Sequence, residues 1–139
     1  MTFGSPSFSD EFLFRVAFAN VPGIEEIEAG NIPAGIKLLE NRLNNIEQGN
    51  SGEILATLCA AYIVNVSLDN AERACNKAVE TGPTEIAFNN RGVFRAFKGN
   101  LSGAREDFDR AYPRQLEVYL SELKAKDVGF AGGRQLSPN

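Results

Sequence analysis

The chain has 139 residues, 43% of them apolar, which suits one domain of ordinary size burying about two-thirds of its unfolded surface. A formal charge of −4 argues against a nucleic-acid partner, which needs a basic stripe, and the lack of any histidine removes the commonest general base and a common metal ligand. No run approaches the eighteen or so apolar residues of a membrane span, so membrane insertion is not expected.

Residues 1–22 form a Phe-rich arm, with five of the ten phenylalanines between Phe3 and Phe18. The start lacks the basic and apolar regions of a secretory signal. In FLFRVAF, Phe12, Phe14, Val16 and Phe18 alternate as on a strand, whereas Ser9-Asp10-Glu11 ahead of Phe12 and Val16 reads as a helix start; the helix is the expected conformation. So many aromatics left wet would make a sticky patch. The arm should therefore pack on the rest of the chain or on a second copy, the latter giving a homo-oligomer through residues 1–20.

Next, Pro22-Gly23 confines a short helix to about residues 23–29, and Gly30-Asn31 separates it from GNIPAGIKLLENRLNNIEQG, where Ile36, Leu39 and Leu43 share a stripe. EILATLCAAYIVN carries Leu55, Leu58, Cys59 and Tyr62 on one face and is broken from DNAERACNKAVE by Ser67-Leu68-Asp69-Asn70. After Thr81-Gly82-Pro83 come EIAFNNRGVFRAFKG, then Gly99-Asn100, then SGAREDFDRAY. RQLEVYLSELKAK, with Leu116, Tyr119, Leu120 and Leu123 striped, reads as a cap with one polar face, and residues 128–139 as a mobile tail.

The chain also repeats itself. Ala71, Cys75, Ala78 and Ala104, Phe108, Ala111 share a spacing of four then three, 33 residues apart, each preceded by a second helix-like stretch. Each unit is thus a helical hairpin. The pattern resembles the tetratricopeptide repeat, whose units are about 34 residues long. Tyr62, Ala71, Ala78 and Pro83, with Cys59 and Cys75, fall on its preferred positions in residues 52–84; Gly92, Gly99, Ala104, Phe108 and Ala111 do so in residues 85–117. Arg91 and Arg95 depart from it, standing where the family prefers a large apolar residue and an aromatic. Over about residues 23–124 the resemblance implies an all-α fold, a right-handed superhelix of about three antiparallel helical hairpins. Its units lie at about 23–51, 52–84 and 85–117, and a C-terminal capping helix at about 114–127 completes a domain spanning 23–127.

In the family register the concave surface consists of Ala56, Thr57, Ala60, Ile63 and Val64, then Ile86, Asn89, Asn90, Val93, Ala96 and Phe97. Related proteins use an asparagine amide at the place of Asn90 to hold a bound peptide's backbone, since a carboxamide both donates and accepts. The alternative is that Asn90 bridges neighbouring helices. The lysines and arginines by which family members clamp a C-terminal carboxylate are missing from this face, so that mode is rejected. Arg91, Arg95 and Lys98 form a basic stripe, for which internal pairing with Glu106, Asp107 or Asp109 is favoured over an anion site.

Catalytic chemistry finds little support. Asp10, Glu11, Glu25, Glu26 and Glu28 suit helix N-termini and solvated faces, and GFAGG lies in a tail with no following helix. No enzyme activity, cofactor or metal is expected.

The two cysteines bear on location. In a hairpin whose helices meet near residues 66–68, positions whose numbers sum to roughly 134 face each other, as Cys59 and Cys75 do. They form either a disulfide or two buried thiols, and the opposition favours the disulfide. Pairing implies an oxidising compartment such as a bacterial periplasm and a signal missing from this chain; free thiols imply the cytoplasm. The expected function is a non-catalytic module that docks an extended or helical protein segment in the apolar groove. The alternative is a self-associating subunit of a larger assembly, followed by a small-molecule binder or enzyme with a closed pocket.

Overall fold

The structure is a computed structural model that describes residues 15–46, 51–113 and 121–122. They include six helices and no strand: α1 (Ile24–Glu28), α2 (Ile32–Asn44), α3 (Gly52–Val64), α4 (Leu68–Thr81), α5 (Glu85–Phe97) and α6 (Leu101–Ala111). The expected capping helix and tail lie almost wholly outside the described residues. Consecutive helices pair as α1–α2, α3–α4 and α5–α6, and α3 also packs on α2 and α5, so that it sits at the centre.

All three pairs are joined by the same turn. The N–H groups of Gly30, Val66 and Gly99 donate to the carbonyls of Ile27, Ile63 and Ala96, and those of Asn31, Ser67 and Asn100 reach back to Glu26, Tyr62 and Arg95. This double closure needs a left-handed residue just past the helix end. Gly30 and Gly99 supply it at φ +93° and +86°; in the middle hairpin Val66, a β-branched residue, is held at φ +57°. Because Val66 closes the turn so tightly, Leu68, Asp69 and Asn70, expected to break the chain, are already helical. Thr84 and Asn100 then cap α5 and α6, their side-chain oxygens accepting from the N–H groups of Ala87 and Gly103.

The repeated small residues set the helix spacing. Ala71, Cys75 and Ala78 on α4, and Ala104, Phe108 and Ala111 on α6, are all buried. Facing them, Gly92 leaves room for the Phe108 ring: a β-carbon there would lie 2.7 Å from Cε1. Cys59 and Cys75 are joined by a disulfide at mid-hairpin, with α-carbons 4.7 Å apart and both residues fully buried.

Where the family pattern calls for apolar side chains, Arg91 instead grips Asp107 through two hydrogen bonds of 2.9 Å and reaches Asn76 at 3.3 Å. Arg95 adds a 3.2 Å ion pair to the same carboxylate, which is 1% exposed. Arg91 and Arg95 of the basic stripe thus tie α5 to α6.

Helix α3 differs from the others in having every residue from Ile54 to Ala61 buried. One side of it faces α4 through the disulfide. The other is covered by a segment that the sequence reading assigned to a helix. Arg15–Ala19 is not helical: it runs extended across α3 and α5. Over Arg15–Phe18 the strand-like alternation is the better guide, because hydrogen bonds from distant side chains outweigh a local capping signal. Residues 1–14 lie outside the described residues.

Candidate functional site

The surface formed by α3 and α5 holds this extended segment by its main chain. Asn90, fully buried near the middle of α5, accepts from the Ala17 N–H at 2.8 Å and donates back to the Ala17 carbonyl at 2.8 Å. The same amide nitrogen donates to the Ala56 carbonyl on α3 at 2.9 Å, and the amide oxygen accepts from the Asn89 side chain at 3.1 Å. The two donors and two acceptor sites of the carboxamide are thereby all used. Asn89 also donates to the Arg15 carbonyl at 2.9 Å, and the Thr57 hydroxyl accepts from the Ala19 N–H at 3.1 Å.

The bonded residues are 15, 17 and 19. Contacts on alternate residues mark an extended backbone, whose successive N–H and C=O groups point to opposite sides. Between them, Val16 and Phe18 pack half-buried against the core cluster, while Ala19 is buried and Arg15 exposed. A three-residue turn from the Val21 N–H to the Ala19 carbonyl, 3.0 Å, ends the run. Val21 is buried, and Gly23 follows at φ +103°, so close to α2 that a β-carbon would lie 2.8 Å from the Gly35 carbonyl oxygen.

The expected groove residues divide into three groups. Thr57, Asn89 and Asn90 make polar bonds to the segment. Ala56, Ala60, Ile63 and Val93 are buried, Ala56 contributing the carbonyl that anchors Asn90, while Ile86 and Ala96 are half-buried. Val64 and Phe97, by contrast, lie at the C-terminal ends of their helices and are 43% and 52% exposed. The bridging reading of Asn90 holds, since the side chain ties α5 to the Ala56 carbonyl of α3; the backbone it also grips is that of Ala17. What the sequence did not reveal is that this backbone belongs to the chain itself; Ala17 and Ala19 carry no signal beyond the alternation of the arm.

No ionised side chain takes part in these bonds. No group of His, Cys, Asp or Glu among the described residues is placed to hold a metal ion. The perturbed groups lie elsewhere. Tyr62 on α3 is pushed well above the ordinary tyrosine value by burial, then by a hydrogen bond to the Glu40 carboxylate and by its charge, with Arg73 opposing. Tyr112 is raised by burial and by the charge of Glu85.

Comparison with protein-family models, with curated proteins and with solved structures gives no match.

Proposed function

We propose that the protein is a non-catalytic interaction module of the tetratricopeptide-like kind, its hairpins stacked as a right-handed superhelix, and that the surface between α3 and α5 recognises extended protein segments. One observation carries this reading: Asn90 bonds both the N–H and the C=O of a single residue of an extended chain. Recognition of this type reads the backbone first and depends on side chains only through the space beside it. Selection of peptides from a displayed library against the full-length protein tests it. Selected sequences should lose at least tenfold in affinity for Asn90→Ala; equal binding to that variant, with its helical content intact, would overturn the assignment of the groove.

A second reading is favoured by a different feature. Val66 is 65% exposed, apolar, and held in a left-handed conformation costly for a β-branched residue; exposed Val64, Phe97 and Leu101 also lie at the hairpin turns. A turn edge of this composition suits self-association, and a concentration series in light scattering tests it. For either reading a buried disulfide suits an oxidising, extracytoplasmic setting.

A further inference from the structure

The segment in the groove is the chain's own, and that bears on what else can bind there. We infer that Arg15–Ala19 is a built-in ligand that closes the groove, and that the external ligand is an extended apolar segment of another protein with small residues at alternate positions, entering by displacing it. The inference rests on the groove reading above.

Three observations support it. The polar contacts between segment and groove use only the segment's main chain, through Ala17, Arg15 and Ala19, so another extended chain can reproduce them bond for bond. The required pattern is visible in the occupant. Ala17 lies against the Asn90 carboxamide and Ala19 is buried beside Thr57, which calls for small residues there, while Val16 and Phe18 supply apolar surface to the core cluster. The hold is graded: Ala19 and Val21 are buried, whereas residues 16–18 are half-buried and Arg15 is exposed, so the segment is held least at Arg15 and most where Val21 and Gly23 are anchored on the helices.

The tether points to a different protein and not to a second copy. A tethered segment acts at an effective concentration on the order of millimolar, and an identical segment from another copy has no better contacts with which to overcome it. A partner whose residues fill the groove better does.

The test uses the full-length chain and a fluorescent peptide of the sequence RVAFANV, residues 15–21, followed by anisotropy. Two variants loosen the built-in segment by separate routes: Ala17→Pro removes the N–H that Asn90 accepts, and the double change Val16→Ser, Phe18→Ser removes its apolar contacts. The peptide should bind each variant at least tenfold more tightly than the unaltered chain. Adding Asn90→Ala should abolish that gain, and a peptide with leucine at the position of Ala19 should bind at least tenfold more weakly. Equal affinity for the unaltered and loosened chains, with Asn90→Ala still reducing it, would overturn the gate while leaving the groove reading standing. Absence of binding to folded, loosened variants, or binding unaffected by Asn90→Ala, would overturn both.

Hydrogen exchange on the unaltered protein gives a result even where a variant fails to fold. The Ala17 and Ala19 amides should exchange at least tenfold faster than that of Cys59; protection equal to Cys59 would make the segment an integral part of the core and end the proposal. Dimerisation that depends on the segment would likewise overturn it, by making a second copy the occupant.

Discussion

The Phe108 ring occupies the space that a side chain at residue 92 would fill, with two ring carbons 2.7 and 2.9 Å from the position of a β-carbon on Gly92. Helices α5 and α6 approach across this pair. Gly92→Ala should therefore cost about 1–3 kcal/mol by overpacking, despite the better helix propensity of alanine. Urea denaturation measures the loss, and combining it with Phe108→Leu should cost less than the sum of the two single changes.

At the turn between α3 and α4, Val66 does the work that glycine does in the other two hairpins. A left-handed conformation costs a branched L-residue about 1–2 kcal/mol, part of which glycine returns as extra freedom in the unfolded chain. Val66→Gly should raise stability by up to about 1 kcal/mol, and Val66→Asn by a similar amount, both read as higher melting temperatures. Lower values would show that the valine side chain makes a stabilising contact.

Removing the Asn90 side chain deprives the Ala17 N–H and the Ala17 carbonyl of a partner at once, while the Ala56 carbonyl, inside α3, keeps its helical bond and loses only its second one. Buried groups left unsatisfied cost about 1–3 kcal/mol each, less where water enters, so Asn90→Ala should destabilise by at least about 2 kcal/mol. Asn90→Asp, which keeps the shape but turns an oxygen toward two carbonyls, should be no better. Thr57→Ser retains the acceptor for Ala19 and should be mild beside Thr57→Val. Urea midpoints of the four variants provide the comparison.

How far these features could be read from the sequence depended on how local they are. The hairpins follow from helical periodicity and from turn residues recurring every 33 or so positions, and the Cys59–Cys75 pairing from simple opposition about a turn. The arm did not yield in the same way. Its alternating phenylalanines and its capping residues pointed to different conformations, and the choice between them lies in Asn89, Asn90 and Thr57, some 38–74 residues away. Arg91 and Arg95 depart from the packing pattern, and their spacing on one face pointed to an acidic partner on the following helix; which of Glu106, Asp107 and Asp109 it is follows only from the helix packing, which buries Asp107 opposite them.

The disulfide joins positions 16 residues apart, and in the chain-entropy model closing such a loop stabilises the fold by about 3 kcal/mol. Reduction, or Cys59→Ala with Cys75→Ala, should lower the urea midpoint accordingly. Thiol titration of the denatured, unreduced protein should find no free thiol; two would rule out the pairing in the purified protein.

Alkaline titration should report on Tyr62. Its folded-state pKa lies above the ordinary value of about 10, so between the two the folded protein binds its proton more tightly than the unfolded chain does. Stability is accordingly undiminished below about pH 10 and falls as the pH rises beyond it. Tyr62→Phe should reduce the drop in urea midpoint between about pH 9 and about pH 11, leaving the part due to Tyr112 and other groups. An unchanged drop would remove Tyr62 as a contributor.

The clamp on the extended segment consists of two carboxamides, one hydroxyl and peptide groups. None of these gains or loses a proton in the range where proteins fold, and none carries a charge for dissolved ions to shield. The hydrogen bonds on the segment thus keep the same strength in dilute and in more concentrated electrolyte, and in mildly acidic or mildly basic surroundings. The contact between the segment and the two helices therefore does not respond to the medium through its polar bonds.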